Sequence, residues 1–164
     1  MRRSLIVIAV TALALAAPAA AGLPHGGTLV PAHSLGGVRL GESKHAVRAS
    51  LGTFYGVCDN CARPTWYFTY RRFDRHGLAV ELERGRVSAV YTLWRPEGWR
   101  TGSGLRLGAT PLQVHDRVGS LHTIACSGYD ALVADGPRVQ TVYYLYAGHL
   151  WGFGLFRPGA QPCR

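Results

Sequence analysis

Lysine is almost missing from this chain of 164 residues. Lys44 is the only one, although Lys+Arg total 18. The positive charge is therefore arginine charge, and with only 9 acidic residues the formal net charge is +9. Charged residues of both signs make up 16% against 48% hydrophobic. That balance excludes an intrinsically disordered chain, which needs low hydrophobicity and high charge. Beyond residue 21 no apolar run approaches the ~20 residues that cross a bilayer. None of the seven histidines forms H-x-x-x-H or H-E-x-x-H, the helical spacing of a zinc-hydrolase pair. Ser34, Ser103 and Ser127 lack the G-x-S-x-G setting of a nucleophile elbow. Ser34-Leu35-Gly36-Gly37 and Gly102-Ser103-Gly104 are glycine-rich but lack the lysine of a phosphate loop. No carboxylates stand out as an acid/base pair. The sequence therefore assigns no catalytic residue, no metal ligand and no cofactor.

What is present begins with an export signal. Met1-Arg2-Arg3 is basic, Leu5 to Ala17 is apolar apart from Thr11, and Ala19-Ala20-Ala21 follows Pro18. This three-part pattern predicts a signal peptide over 1–21. The mature chain then begins near Gly22 with a net charge of about +7 and is not inserted in a membrane. In an exported chain an even number of cysteines predicts disulfides. Cys58, Cys61, Cys126 and Cys163 allow three pairings. The modular organisation favours Cys58 with Cys61 and Cys126 with Cys163, one bridge per half, the second tying down a segment that would otherwise fray.

That organisation is a repeat. Gly37-Val38-Arg39-Leu40-Gly41-Glu42-Ser43 matches Gly104-Leu105-Arg106-Leu107-Gly108-Ala109-Thr110 at an offset of 67. Carried on to Gly52 and Gly119, six of sixteen positions are identical, where composition alone gives about one. Each copy predicts a short helix. Ser43 and Thr110 are N-caps, and Pro111 suits the first helical position. Gln113 completes a capping box with Thr110. Val47 and Leu51, and Val114 and Val118, share a face, and Gly52 and Gly119 stop the helices. Alternation then predicts antiparallel strands. Trp66, Phe68 and Tyr70 lie on one face of Thr65 to Phe73. Leu78, Val80 and Leu82 alternate with Ala79, Glu81 and Glu83, which places both glutamates on a solvent face. Arg84-Gly85 and Ala147-Gly148 are matching hairpin turns, the second between Val139 to Tyr146 and His149 to Phe156. The expected fold is α+β: two tandem repeats, each a short helix followed by an antiparallel β-meander. The segments are an N-terminal extended stretch over 22–36, a first repeat over 37–94, a linker over 95–101 and a second repeat over 102–164.

The glycine-bracketed helical unit, Gly37–Gly52 and again Gly104–Gly119, followed by a meander, resembles the tandem-repeat family of the β-lactamase-inhibitory protein. It is also similar to the small outer-membrane assembly factors of the BamE/SmpA type. Cys58 and Cys126 fall where the inhibitory protein has a cysteine after each helical unit. The lipid-bearing cysteine of the assembly factors is missing. The resemblance implies an exported α+β binding module whose partner is a protein, with an extracellular or cell-wall enzyme as one candidate.

The residues point the same way. Trp66, Tyr67, Tyr70, Arg71 and Arg72 crowd the first meander, and Tyr143, Tyr144, Tyr146, Trp151 and Phe153 the second. Alternation sends one of each adjacent pair outward, and exposed Trp, Tyr and Arg are the residues of binding hot spots. Trp66, Tyr67, Arg71, Tyr144 and Trp151 are the candidate contact residues for a protein partner, and an anionic cell-surface polymer is a second candidate partner. Export separates the chain from nucleic acid. The alternative reading is an envelope thiol–disulfide oxidoreductase using Cys58-Asp59-Asn60-Cys61, a C-x-x-C without the βαβ surroundings of that chemistry.

Overall fold

The computed structural model describes residues 23–164; the expected signal peptide lies outside them. The two short helices form where the capping residues put them. Helix α1 (Lys44–Leu51) starts at Ser43, whose hydroxyl accepts the Ala46 amide, and buries Val47 and Leu51. Helix α2 (Pro111–Val118) starts at Thr110. There Gln113 N–H donates to the Thr110 hydroxyl, and Thr110 N–H donates to the Gln113 side chain at 2.8 Å. Val114 is fully buried, while Val118 is partly buried at the edge of the same core. Neither helix is long enough to stand alone in water. Both hold because their apolar face rests on the sheet.

That sheet has eight antiparallel strands. The first half contributes β3 (Gly56–Cys58), β4 (Thr65–Thr69), β5 (Gly77–Glu83) and β6 (Arg86–Leu93). The second contributes β8 (His122–Cys126), β9 (Tyr129–Ala134), β10 (Gln140–Tyr146) and β11 (His149–Phe156). The spatial order is β3-β4-β5-β6-β11-β10-β9-β8. The last strands of the two meanders pair at the centre, Ala89, Val90 and Tyr91 against Phe156, Leu155 and Gly154. Antiparallel pairing of equivalent strands relates the halves by an approximate two-fold. Helix followed by four strands thus occurs twice, within a molecule that is α+β with a large antiparallel sheet.

The two hairpins next to the seam are built alike. Arg84 and Gly85 have φ of 51° and 75°, and Ala147 and Gly148 have 48° and 74°. Both central residues in the left-handed region is the turn that suits the twist of a two-residue hairpin. Each is followed by a bulge. Glu81 faces Ala89 and Leu82 faces Val87, so Ser88 is the extra residue. Tyr144 faces Gly152 and Leu145 faces Leu150, so Trp151 is the extra residue. A bulge shifts the alternation. Val87 consequently points to the helical side with Val90, whereas Ala89 and Tyr91 point away. Strict alternation puts Val87, Ala89 and Tyr91 on one face, and the bulge is the reason they part.

Both faces of the sheet are covered. On one, Trp66, Phe68, Leu78, Val80, Tyr143 and Phe153 pack under the helices. On the other, Ala79, Tyr91, Val133, Val142, Tyr144 and Phe156 form a second cluster. This second face corrects the expected solvent position of Glu81, which is 4% exposed. The segment after β11 turns back across it. There Arg164 pairs with Glu81, and Arg63 Nη1 approaches the same carboxylate at 3.1 Å. The Arg164 guanidinium lies 4.9 Å from the Phe156 ring centre. Glu83 remains half-exposed and pairs with Arg157. A carboxylate on a covered face needs such partners, because an uncompensated buried charge costs several kcal/mol.

A small second sheet, β2-β1-β7, joins β1 (Thr28–Val30) antiparallel to β2 (Ser34–Leu35) and parallel to β7 (Arg100–Thr101). The expected linker is therefore packed structure. Trp99, 1% exposed, donates its indole N–H to the Tyr70 hydroxyl at 2.7 Å.

Gly77 opens β5 at a φ of 155°. A Cβ there would lie 1.9 Å from the Phe68 carbonyl oxygen, whereas a Cβ on Gly85 meets nothing within 4 Å. Gly77→Ala should cost about 3 kcal/mol or more, and Gly85→Ala only about 1 kcal/mol of left-handed strain. Urea denaturation of the two variants checks the order; equal losses would contradict the close approach at Gly77.

Candidate functional site

The aromatic residues do not divide as simple alternation suggests. Trp66 is a core residue under α1, 4% exposed and stacked on Tyr55 at 4.3 Å. Arg48 covers its ring at 5.0 Å. Tyr144 lies on the opposite face and is 2% exposed, its hydroxyl donating to the Pro162 carbonyl at 2.8 Å. Neither can touch a partner. The expectation failed for a common reason: helices cover one face and the returning segment covers the other. Tyr67 is half-buried on Tyr144's face, and Arg71 is exposed on the loop after β4. Trp151 is half-buried, and the buried Nε1 of its ring has no acceptor.

Around Trp151 the structure assembles a surface the sequence did not single out. The β11 bulge presents the Trp151 ring to Tyr144 at 5.5 Å, to Tyr129 at 5.7 Å and to Trp94 at 6.5 Å. Trp94 follows β6 and is 55% exposed. The Arg75 guanidinium sits 5.8 Å over its ring. The same loop carries Phe73, 91% exposed, with Arg72 5.1 Å over its ring. Phe73 and Trp94 share a further property, with φ of 63° and 51°. A bulky residue in the left-handed region is uncommon and costs about 1 kcal/mol or more. Two outward aromatics are thus held in strained backbone at the end of the sheet. One available signal was position: both stand beside turn residues, Phe73 before Asp74-Arg75-His76-Gly77 and Trp94 before Arg95-Pro96.

The four cysteines form two bridges, Cys58–Cys61 and Cys126–Cys163, each with Cα atoms 5.5 Å apart. The second fastens the returning segment to the end of β8. The first closes a loop after β3, and no helix starts between residues 52 and 110. Neither cysteine thus sits in the first turn of a helix, one common source of thiolate stabilisation. Among the described residues no group of three or more His, Cys, Asp or Glu side chains could hold a metal ion. His76 and His122 instead pair singly with Asp74 and Asp135. Among the described residues no helix is long and apolar enough to cross a membrane. The arrangement offers contact area and arginine charge for binding.

No family model matches the chain, and no curated protein matches it in sequence. Two solved structures are similar to it. One is an extracellular protein containing an SCP domain from Bacillus anthracis str. Ames, at 8% identity and a TM-score of 0.54 over 73% of this chain. The chain spans 44% of that protein's length. The other is a DUF4309 family protein from Bacillus subtilis, at 14% identity and a TM-score of 0.48, covering 71% of this chain and 78% of that one. At such identities the first likeness speaks for the α+β fold alone.

The bridges and the buried phenols both bear on stability. The Cys126–Cys163 bridge spans 37 residues and the Cys58–Cys61 bridge 3. Loop-closure entropy then predicts a loss of about 4 kcal/mol for the C126A/C163A variant and about 2 kcal/mol for C58A/C61A. The first variant alone should become open to proteolysis after residue 156. The second prediction concerns buried phenols. Burial, with Glu81 nearby, holds the Tyr91 hydroxyl far above its ordinary value of 10.0. Burial also raises Tyr144 and pushes Tyr143 up to about 12. The folded state thus keeps protons that the unfolded state loses. Stability is full below about pH 10 and falls as pH rises toward the folded values. Phenolate absorbance should show these tyrosines ionising together with unfolding; reversible titration of all eight tyrosines near pH 10 would contradict it.

Proposed function

We propose that this protein is an exported, non-catalytic binding module that docks a protein partner through the aromatic and arginine-bearing end of its sheet. The observation that carries this reading is the pair Phe73 and Trp94, both outward and both in left-handed backbone. Strain of that kind is retained where a fold over-determines a functional position. Exposed tryptophan flanked by arginine is the composition of an interface centre. Phe73, Arg75, Trp94 and the accessible part of Trp151 are the contact residues, and Arg71 lies on the same loop as Phe73. The leader-like pattern and the two disulfides support an oxidising compartment. The resemblance of the repeated helical units to the β-lactamase-inhibitory protein family supports an extracellular or cell-wall enzyme as the partner.

The test is capture from the protein's own extracellular milieu with oxidised chain 22–164, followed by affinity measurement on the recovered partner. Phe73→Ala and Trp94→Ala should each weaken binding by about 2 kcal/mol, some thirty-fold, as interface hot spots do. Leu112→Ala, at a 70% exposed position on α2, should leave binding unchanged. Recovery of no partner, or equal binding by all three variants, would sink the proposal.

A further inference from the structure

A second surface carries its own chemistry. Beside the small sheet lies a cavity of about 590 Å³, lined by His76, Arg95, Glu97, Trp99, Arg100 and Arg106 among others. Arg100 on β7 and Arg106 face each other across an antiparallel bridge. Like charges at directly opposed positions repel, and folded chains generally avoid them. Here the repulsion is left standing. Among the described residues no carboxylate lies within 4.0 Å of Arg95, Arg100 or Arg106; the ion-paired arginines are Arg39, Arg63, Arg157 and Arg164. Glu97 is the one carboxylate of the lining, against three arginines.

The backbone that holds this pair is fixed from several sides. The Arg100 amide donates to the Gly27 carbonyl at 3.0 Å. The Trp99 ring fills the space that a Cβ on Gly27 or Gly36 would need, at 2.6 and 2.8 Å. The turn between the two arginines is closed by Thr101, whose hydroxyl accepts the Leu105 amide at 3.0 Å and whose own amide donates to the Leu105 carbonyl at 2.8 Å. The two arginine side chains therefore leave directly opposed positions of a fixed main chain on the same side. A guanidinium presents a planar fork of donors that matches an oxoanion in bidentate fashion, which an ammonium does not. An arginine pair without its own counter-charge suits a phosphate oxoanion, free or within a polymer, whose oxygens can bridge both forks.

We propose that Arg100 and Arg106, with Arg95 at the rim, form a phosphate-binding site, taking phosphate either free or as the repeating group of an anionic surface polymer. The site adjoins the aromatic surface through His76 and Arg95, neighbours in the chain of Arg75 and Trp94, but uses neither the Phe73 nor the Trp94 ring. Isothermal titration with inorganic phosphate and with linear polyphosphate, in buffer of fixed ionic strength, tests it. Both probes should bind saturably to the oxidised chain. Arg100→Gln and Arg106→Gln should each weaken binding at least ten-fold, whereas Arg39→Gln, at an arginine paired with Glu42, should not. Phosphate should raise the Tm of the parent chain above that in chloride of equal ionic strength, and should not do so in R100Q or R106Q. The Tm of those variants without phosphate should equal or exceed the parent's, since a repulsion has been removed; this separates lost binding from lost folding. Affinity per phosphate that is equal for the two probes identifies the free anion as ligand, and a gain of ten-fold or more for polyphosphate identifies a polymer. No saturable binding, binding that R100Q and R106Q leave intact, or equal binding of the carboxylate polymer polygalacturonate would overturn the proposal.

Discussion

The pairing of β6 with β11 joins the two halves into one sheet. Ala89, Val90 and Tyr91 meet Phe156, Leu155 and Gly154 at the seam between the halves, and the Thr92 hydroxyl accepts the Phe153 amide at 2.9 Å beside it. A four-stranded meander with one short helix has a limited core of its own. Joined at equivalent strands, two of them share one continuous apolar layer under α1 and α2, from Trp66 to Leu132. The far face becomes wide enough for the chain to return over it. The aromatic surface also depends on the seam, because Trp94 and Trp151 come from the two halves and meet only where β6 lies beside β11.

Local chemistry was legible in the sequence. Ser43 and Thr110 cap helices because a hydroxyl can accept a free amide there, and nothing distant alters that. The hairpins at Gly85 and Gly148 followed from similarly short-range arguments, and the cysteine pairing from the two-part organisation of the chain. What escaped was long-range. Ser88 and Trp151 read as ordinary members of a period-two pattern, since a bulge is set by the partner strand. Glu81 did lie on the face away from the helices, as its alternation with Leu82 and Val80 required. That this face was not wet depended on Pro162, Cys163 and Arg164, some eighty residues later. Trp66 and Tyr144 were misplaced by the same omission. Phe73 and Trp94 were passed over because their only mark in the sequence was a place beside turn residues, which does not by itself announce left-handed backbone.

The duplication leaves the two halves unequal in their loops. The first has a loop from Tyr70 to His76 bearing Arg71, Arg72, Phe73 and Arg75. The corresponding connection in the second, between β9 and β10, is a short turn at Asp135-Gly136-Pro137 with Arg138 its sole arginine. The segment joining the halves supplies Arg95, Trp99 and Arg100 to the cavity, and Arg106 comes from the start of the second half. Both surfaces thus arise where the copies differ or meet, while the matched strands provide the support. Arginine without lysine fits this division, since its planar fork can stack on Trp94 at one surface and present parallel donors at the other.

The outermost strands carry a last consequence. β3 has only three residues, and β8, at the opposite border, ends in Cys126. Each border strand therefore terminates at a cross-linked cysteine, in the place where a neighbouring molecule would lay down a ninth strand. Unpaired strand borders are templates for aggregation, and very short ones recruit poorly. Short border strands, each closed by a bridged cysteine, leave a neighbouring molecule little edge on which to extend the eight-stranded sheet.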